Sequence, residues 1–520
     1  MPDADSGVER TVRAPVAKPP GAALPTVAQA VNEARATIAL SLDAARRPHL
    51  IGVAGTGMNS LATLLAELGK DVTGSDRASG GMVEWLTERG IRVQKGHTPH
   101  LIDDADVVIR SAAVPDDNPE ILTARERGVH VLTHAQALGA LMAARVGIGV
   151  AGTHGKSTTT ALIAHILTAG GRAPTLVGGA VALDVGASSR LGRGPELVAE
   201  ADEYGRRFLE LHPKLAVITG IEPDHLDYYG SFEAVIEAFE QFVGGMAADG
   251  TVVTNADDPV LRALALPRRR LTYGVASDAT WRLADVRPIL SGGSTLDVIG
   301  PDGAPWALMS ALTGAHNAMN ALAAIAVAGE LGVARSYVET ALASFRGTRR
   351  RFETRARRHG VWVVDDYAHH PTAVTATLRA AREVHDGRLV AVFQPHTTHR
   401  TAALLEEFAR SFGDADRAIL LPIYRPAGRE ADEHSIASGD RPVESGDVVA
   451  RMGHPHASVV ESLDAAFDLL CREELREGTL ILTLGAGDVT TLADRLADHL
   501  DTTNRAGSAS SRAVMMDAMA

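Results

Sequence analysis

Short apolar runs alternate with helical patterns along most of the chain. The first series has strand-like runs at 49–55, 71–76, 106–110 and 129–132, with helical patterns at 58–68 and 83–89. Strands that alternate with helices of about ten to fifteen residues are typical of a parallel, doubly wound sheet. The first part of the chain is therefore predicted to be a Rossmann-like α/β domain.

Two further series follow the first. The second has strand-like runs at 146–150, 197–199 and 215–219 and leads to an Ala-rich helix at about 315–331. The third has strand-like runs at 361–364, 389–393, 418–421 and 480–484. The pattern predicts three α/β domains in series, with bounds at 46–145, 146–344 and 345–502. The ends 1–45 and 503–520 lack the apolar content that offsets the entropy of ordering, so we expect weakly structured tails.

Length and charge narrow the class of protein. A chain of 520 residues is too long for one hydrophobic core, and 45% hydrophobic with 22% charged residues is ordinary for a soluble protein. The net charge of -13 argues against a nucleic-acid partner, which requires clustered Lys and Arg. A nucleotide can still bind where backbone amides, one lysine and a metal ion meet its phosphates.

The chain carries no pattern for export or membrane insertion. The first 45 residues lack a basic start followed by an apolar block, and the longest apolar stretch, 321–329, is too short to cross a bilayer. Cys471 is the single cysteine, which excludes an intrachain disulfide, and we expect a small buried hydrophobe on a helix. These features predict a cytoplasmic protein.

The sharpest local motif lies between an apolar strand and a helix. Its glycines allow a tight turn, successive N–H groups and the helix N-terminus favour phosphate, and a lysine and a hydroxyl reach the terminal phosphates and Mg²⁺. Val150 stands where the general P-loop pattern has its first glycine, so this is a shorter form of the loop. We expect nucleotide phosphates to bind at Gly152, Thr153, His154, Gly155, Lys156, Ser157 and Thr158, and the resemblance given below implies that the nucleotide is ATP.

A second glycine turn follows the first predicted strand. Gly55 and Gly57 precede Asp76 by about twenty residues, as in a dinucleotide fold, but Ser60 holds the third glycine position. The turn is weak evidence for NAD. A loop for phosphate or a sugar nucleotide fits equally well.

Further motifs occur in a fixed order along the chain. They are Glu200 to Tyr204, Ile221 to Asp227, Gly314 to Asn317 with Asn320, Arg350 to Phe352, Asp365 to Pro371, Gln394 to His396 with Arg400, and Gly485 to Asp488. Together with the phosphate loop, this series resembles the muramyl ligase family over about 49–498. Each motif alone is weak, whereas their ordered conjunction is specific.

The resemblance implies a three-domain ligase with a Rossmann-like first domain, a P-loop-type central ATPase domain and a Rossmann-like third domain. The first would hold UDP-N-acetylmuramate, the second ATP and Mg²⁺, and the third L-alanine. The implied reaction joins L-alanine to the sugar acid through an acyl phosphate, the first peptide-adding step of peptidoglycan precursor synthesis. His154 favours this alanine-adding branch. Monomer and homodimer both remain open.

The resemblance also assigns residues. Catalytic roles are implied for Lys156, His225, His369 and Arg400, metal binding for Ser157, Glu200 and His225, and further ATP contacts for Asn317, Arg350 and Arg351. Substrate contacts are implied for Gly55, Thr56, Gly57, Met58, Ser75, Asp76, His97, Ser111, Tyr367 and His369. The roles of Asp202 and Glu203 stay open between supporting the metal site and facing solvent.

Two of the departures from the family pattern bear on substrate binding. Thr397 and Thr398 stand where an arginine and an aromatic residue are common, and His134 and Gln136 stand where Arg and Glu are usual. Three alternatives therefore stay open: a ligase that recycles a tripeptide onto the same sugar nucleotide, a silent nucleotide-binding paralogue and, more distantly, a folate polyglutamate ligase. Retention of Lys156 argues against the silent paralogue.

Overall fold

A computed structural model describes residue 38 and residues 42–290, 292–425 and 442–502. The predicted tail at 503–520 lies outside the described residues, as does most of the predicted tail at 1–45. The described residues form three sheets in chain order, each with its own helices. This arrangement confirms the predicted α/β class.

The first sheet has five parallel strands in the order β3-β2-β1-β4-β5. The strands are β1 Pro48–Ile51, β2 Thr73–Asp76, β3 Arg92–Lys95, β4 Val107–Arg110 and β5 His130–Thr133. The helices are α1 Thr56–Glu67, α2 Gly81–Thr87, α3 Pro119–Glu126 and α4 His134–Ala143. This strand order reverses direction at β1, and ligands of such sheets bind at the carboxyl ends of the strands near that point.

The second sheet has ten strands in the order β15-β14-β13-β12-β11-β10-β6-β9-β7-β8. The strands are β6 Val146–Ala151, β7 Thr175–Ala182, β8 Ala187–Arg190, β9 Glu196–Glu200, β10 Leu215–Ile218, β11 Thr251–Asn255, β12 Arg269–Gly274, β13 Trp281–Pro288, β14 Ser294–Ile299 and β15 Pro305–Ser310. The helices are α5 Lys156–Ala169, α6 Leu226–Tyr229, α7 Phe232–Gly244, α8 Pro259–Ala263, α9 Ala315–Glu330 and α10 Arg335–Ser344.

The sequence analysis missed most of this sheet's outer half. It found β6, β9 and β10 but not the strands from β11 to β15. In the structure, β14 pairs antiparallel with both β13 and β15. Their side chains alternate between buried and partly exposed, as in β14, so they lack the continuous apolar run of a strand covered on both faces. The α/β class predicted for the second series is confirmed, but this antiparallel part was not predicted.

The third sheet has six strands in the order β16-β17-β21-β18-β19-β20, all parallel except β16. The strands are β16 Glu353–Arg358, β17 Val361–Asp366, β18 Arg388–Phe393, β19 Arg417–Leu420, β20 Ala457–Val459 and β21 Thr479–Leu484. The helices are α11 Pro371–Val384, α12 Thr398–Ala403, α13 Leu405–Arg410, α14 Ser445–Met452 and α15 Leu463–Glu473, and a last helix spans 490–502.

Strand order in the second sheet positions the central site. Strand β6 lies between β10 and β9 and is parallel to both, so the segments that follow these three strands meet at one sheet edge. Helices α5 and α9 are buried along much of their length against this sheet. Cys471 lies on α15 but is only partly buried, contrary to the expected buried position. No helix in the described ranges has the length and apolar character needed to span a membrane.

Candidate active site

The turn after β6 requires glycine at two positions. Gly152 has φ +122° and Gly155 has φ +80°, both in the region that L side chains rarely adopt. A Cβ on Gly152 would lie 2.8 Å from Thr219 N, and one on Gly155 would overlap the amide oxygen of Asn320. The loop therefore packs directly on the strand end of β10 and on helix α9. Helix α5 begins at Lys156, so its N-terminus faces the loop.

The lysine of the loop is held by a buried carboxylate. Lys156 Nζ donates to Gly152 O at 2.7 Å and to Glu203 Oε1 at 2.8 Å. Burial alone would lower the pKa of Lys156, but the carboxylates of Glu203 and Glu200 outweigh it and raise that pKa above its usual value. The lysine is thus a fixed cation at the loop. Glu203 is buried and contacts Lys156, which excludes the solvent-facing alternative left open for it.

Two oxygen donors lie together at the start of α5. Ser157 Oγ donates to Glu200 Oε2 at 2.8 Å, and the backbone N–H of Gly179 donates to the same oxygen at 2.9 Å. Hydroxyl and carboxylate oxygens are the ligands that Mg²⁺ accepts, and it commonly binds through one or two protein groups plus phosphate. The residues present fit a magnesium ion beside a bound triphosphate.

The segment after β10 carries an acid and a histidine. His225 adopts φ +55°, which is uncommon for a residue other than glycine, and its Nε2 lies 3.7 Å from Asp224 Oδ2. Burial lowers the pKa of His225, so its imidazole is neutral near pH 7 and can bind a metal ion. Burial opposes ionisation of Asp224, but Arg400 and His225 outweigh it and hold the pKa of Asp224 well below its usual range.

The end of β17 presents third-domain groups to the central domain. His369 Nδ1 lies 2.9 Å from Tyr367 O, and burial together with the charge of Arg400 holds the pKa of His369 well below its usual value. The guanidinium carbons of Arg350 and Arg351 lie 5.1 and 4.9 Å from the Tyr367 ring centre. A cation over an aromatic face is attracted by its quadrupole, so these contacts order Tyr367.

The two predicted phosphate-binding arginines differ in their surroundings. Arg350 Nη2 donates to Gly485 O at 2.5 Å, and its Nε lies 3.4 Å from Asp365 Oδ2, so Arg350 is engaged within its own domain. Arg351 carries charge that lowers the pKa of His316 in the central domain, although burial is the larger cause. The predicted phosphate contacts of Arg350 and Arg351 stay predictions.

The asparagines of α9 brace the loop. Asn317 Nδ2 donates to Thr313 O at 2.9 Å, and Asn320 Nδ2 donates to Asn317 Oδ1 at 3.1 Å. Thr159 Oγ1 of the neighbouring helix donates to Asn320 Oδ1 at 3.3 Å. Asn317 is largely buried, with its amide engaged inside the helix start. The predicted adenine contact of Asn317 stays a prediction.

Some of the residues predicted to bind the sugar nucleotide in the first domain lie at the glycine turn and at strand ends, whereas others have buried side chains. Gly57 O lies 3.1 Å from His134 Nε2, and Asp76 Oδ2 accepts from Ala54 N at 2.8 Å, which ties the glycine turn to its surroundings. Gly55 is exposed at the start of α1, and Ser111 follows β4. The side chain of Met58 lies in the hydrophobic core instead, so a ligand could reach only its backbone. The side chain of Thr56 lies outside the described part of the structure.

A buried polar network lies behind this turn. Ser75 Oγ donates to Glu120 Oε2 at 2.7 Å and lies 3.0 Å from His97 Nδ1, while His49 Nε2 lies 3.2 Å from Glu120 Oε2. Ser75 is fully buried, so its predicted ligand contact would require His97 to mediate it. Gln136 completes a capping box with Thr133 at the start of α4, so replacing the usual Glu there keeps the helix cap.

A cleft lies between the central and third domains. Its empty volume is about 600 Å³, and it is lined by Pro223, Asp224, His225, Leu226, His396, Thr397, His399, Arg400, Ala403 and Leu404. Arg400 Nη2 crosses it to Asp224 Oδ1 at 2.8 Å. Thr397, at the departure from the family pattern, adopts φ +62° at the start of α12. The structure thus brings Arg400 and His225, which are far apart in the sequence, to one cleft.

Sequence reasoning assigned no definite role to several residues of the site. Glu203 binds Lys156, Asp224 binds Arg400, and Glu120 anchors the first domain's network. Glu203 and Asp224 lie within motifs that were identified, but an acidic residue in a motif is usually solvated. Their burial and their partners from distant segments are visible only in the fold.

Three α/β domains with a lysine-bearing phosphate loop at the central sheet edge define a nucleotide-binding protein of the P-loop type. Three family models match the chain in order: "Mur ligase family, catalytic domain" at 47–146, "Mur ligase middle domain" at 150–328 and "Mur ligase, glutamate ligase domain" at 350–487. Together they cover more than half of it. The chain belongs to the Mur ligase family.

Several proteins with similar sequences are named UDP-N-acetylmuramate–L-alanine ligase. The UDP-N-acetylmuramate–L-alanine ligase of Bradyrhizobium diazoefficiens is 39% identical over 468 residues, covering 87% of this chain and 97% of the relative. That of Kineococcus radiotolerans is 43% identical over 467 residues, covering 87% and 96%. The crystal structure of UDP-N-acetylmuramate-alanine ligase from Thermotoga maritima matches with a TM-score of 0.72 and 29% identity, covering 88% of this chain and 99% of that chain. A murein peptide ligase from Psychrobacter arcticus matches with a TM-score of 0.63 and 27% identity, covering 88% and 98%.

Proposed function

We propose that this chain is an ATP-dependent ligase that joins L-alanine to UDP-N-acetylmuramate. The observation that carries the proposal is the pairing of Lys156 with Glu203 and of Ser157 with Glu200 at one phosphate loop. These pairs support a role for a cation and two metal-binding oxygens beside the terminal phosphates of a nucleotide. The identities of the two substrates are inferred from the names of the similar proteins.

The reaction follows from the weakness of a carboxylate as an electrophile. The lactyl carboxylate oxygen takes the γ-phosphoryl group of ATP, and ADP leaves. The amine of L-alanine then attacks the acyl carbon, and the tetrahedral species expels phosphate as the amide forms. Two anions must approach in the first step, so charge neutralisation and positioning carry most of the catalysis.

The residues of the loop suit that first step. Lys156 is held protonated by its carboxylate neighbours and would reach the β- and γ-phosphates. Ser157 and Glu200 would hold one Mg²⁺, and His225 a second. These ions neutralise phosphate charge when bound. Arg351 would approach the phosphates when the third domain closes.

The third domain suits the incoming amino acid. Arg400 lines the cleft as a buried cation, and it can bind a carboxylate bidentately. His369 and Tyr367 lie at the end of β17, where α/β sheets present ligand groups. Thr397 stands where the family pattern commonly has an arginine. Arg400 alone would therefore bind the carboxylate of L-alanine. In the first domain, the turn at Gly55 and Gly57 would hold the sugar nucleotide.

Substrate dependence of phosphate release tests the proposal. Purified protein should release phosphate from ATP only when UDP-N-acetylmuramate and L-alanine are both present. Turnover with a tripeptide but not with alanine would select the recycling ligase instead. Absence of turnover with either amine would overturn the ligase proposal. Because the reaction uses ATP and a UDP sugar, we expect the protein in the cytoplasm. Fractionation of the source cells would test this location.

A further inference from the structure

Three possible metal ligands meet at the seam between the central and third domains. His154 comes from the phosphate loop, Glu222 from the segment after β10, and His370 from the turn before α11. One ligand atom of each lies within 4.8 Å of the other two, the one such group of three His, Cys, Asp or Glu side chains among the described residues. His154 Nε2 and His370 Nδ1 lie 3.5 and 4.0 Å from the same oxygen, Glu222 Oε2.

The histidine of the third domain is buried without a hydrogen bond. His370 is 7% exposed, and neither of its ring nitrogens has a hydrogen-bond partner in the described part of the chain. The Nε2 atom of His154 is also buried and lacks hydrogen-bond geometry to its neighbours there. A buried polar atom without a partner costs about 1–3 kcal/mol. A neutral imidazole has one nitrogen with a free lone pair, so His154 and His370 can each offer one nitrogen to a ligand beside the Glu222 carboxylate.

The carboxylate is fixed in position by other groups. Thr372 Oγ1 donates to Glu222 Oε2 at 2.8 Å, and the Glu222 backbone N–H donates to Thr153 Oγ1 at 2.9 Å. The carbonyl of His154 accepts from Thr219 Oγ1 at 2.5 Å. The loop, the segment after β10 and the start of α11 are thus held together around the three side chains. These contacts hold the carboxylate and the three segments in place around the cluster, as outer-shell groups do at metal sites.

We propose that His154, Glu222 and His370 form a binding site for a divalent transition-metal ion of the zinc type. Two imidazoles and one carboxylate are a common zinc donor set, whereas Mg²⁺ prefers oxygen ligands. Tetrahedral zinc with ligands at about 2.0–2.2 Å requires ligand atoms about 3.4 Å apart. The His154–Glu222 pair at 3.5 Å is already close to this separation, whereas the His370–Glu222 pair at 4.0 Å must shorten by about 0.6 Å. The two histidine nitrogens, within 4.8 Å of each other, approach by rotation of their side chains.

The site joins two domains. His154 and Glu222 belong to the central domain and His370 to the third, so the complete donor set exists only while the third domain lies against the central one. A bound ion stabilises that arrangement, because it binds one state of the equilibrium better than the other. Opening between turnovers then becomes slower, and zinc is expected to inhibit the enzyme. This site is separate from the proposed magnesium ligands Ser157, Glu200 and His225.

Cobalt titration of the metal-free full chain tests the site without using enzyme activity. Co²⁺ takes the place of zinc and reports its coordination through its visible absorption. We expect one tight equivalent, displaced by Zn²⁺ and not by excess Mg²⁺. His370→Ala and the nearly isosteric Glu222→Gln should each weaken cobalt binding by at least ~100-fold, since even outer-shell losses cost about 10- to 100-fold.

Two control variants separate this site from other histidines. His225→Ala removes the proposed magnesium ligand, and His130→Ala removes an exposed histidine of the first domain; both should keep the tight cobalt equivalent. Melting of each variant in chelator shows whether it is folded. Unchanged cobalt binding in folded His370→Ala or Glu222→Gln, or loss of the tight equivalent in His225→Ala, would overturn the proposal. Because no substrate is present, this result is independent of the ligase assay.

Discussion

Arg400 Nη2 donates to Asp224 Oδ1 at 2.8 Å across the seam between the third and central domains. The two side chains are 14% and 13% exposed, so this ion pair is largely shielded from solvent. It connects α12 to the segment after β10, next to His225. A shielded charge pair between two domains favours their closed arrangement and places Arg400 over the cleft.

Replacing this acid by its amide tests the seam contact. In Asp224→Asn the side chain keeps its shape but Arg400 loses its counter-charge. A hydrogen bond to a charged group contributes about 1.5–3 kcal/mol, so kcat/KM should fall about 10- to 100-fold. Steady-state phosphate release measures the effect. Asp278→Asn, which breaks the exposed pair of Arg262 and Asp278, is the matched control and should keep full activity. Equal activity of both variants would exclude a role for the seam pair in closure.

Lys156→Ala should lower turnover by at least ~100-fold, because a neutral methyl group cannot balance the phosphate charge that the ammonium neutralises. Phosphate release and nucleotide binding are the measurements. Lys214→Ala removes an exposed lysine paired with Asp249 and serves as the control. Activity near wild type would refute the loop assignment.

Removing Lys156 also leaves Glu203 buried without its partner, which could unfold the loop by itself. The double variant Lys156→Ala with Glu203→Gln removes both charges. Its melting temperature should recover toward that of the wild type while turnover stays low. Recovery of turnover along with stability would mean that Lys156 acts only through the fold.

The glycine at the start of the loop gives a steric prediction. A Cβ on Gly152 would lie against Thr219 at φ +122°, so Gly152→Ala must move the loop or β10. We expect loss of nucleotide binding and a lower melting temperature. At Gly128 φ is +72° and a Cβ would meet no atom within 4 Å, so Gly128→Ala should cost only about 1–2 kcal/mol of backbone strain and leave nucleotide binding intact. Similar binding by both variants would contradict the packing described for the loop.

The buried Glu120 gives a pH prediction for the first domain. Burial opposes its ionisation, but hydrogen bonds from His49, Ser75 and the Thr98 backbone outweigh it and lower the pKa of Glu120 below its ordinary value of 4.5. The folded state therefore binds this proton less readily than the unfolded state. The stabilisation is complete above pH 4.5 and is lost as the pH falls through the lowered value.

Glu120→Gln should lower the stability of the first domain by about 1.5–3 kcal/mol at pH 7. Its difference from wild type should shrink as the pH falls below 4.5. Hydrogen exchange of peptides from β1 and β2 measures this domain separately from the other two. Asp116→Asn, at an exposed pair, is the control and should show little change. A difference that grows on acidification would reverse the assigned direction of the pKa shift.

Helices, strands and turns whose residues form a recognisable pattern along the chain were predictable from the sequence. Parallel strands such as β17 and β21 are continuous apolar runs, because both faces of the sheet are covered, and the glycine-lysine turn at 152–158 is a contiguous motif. The strands β13 to β15 were not predictable, since their partly exposed side chains alternate and pair antiparallel at one end of a mostly parallel sheet. The periodicity of apolar residues indicates which face of a strand is buried, but it does not indicate which strand lies next to it.

The sequence by itself determined the α/β class, the phosphate loop and the order of motifs, because each depends on residues that are close along the chain. Only the tertiary structure decided which charges become partners. Glu203 meets Lys156, Asp224 meets Arg400, and His370 meets His154 and Glu222 across a domain seam. The physical reason is that burial and electrostatic pairing depend on which distant segments pack together, and that choice is made by the free energy of the whole fold.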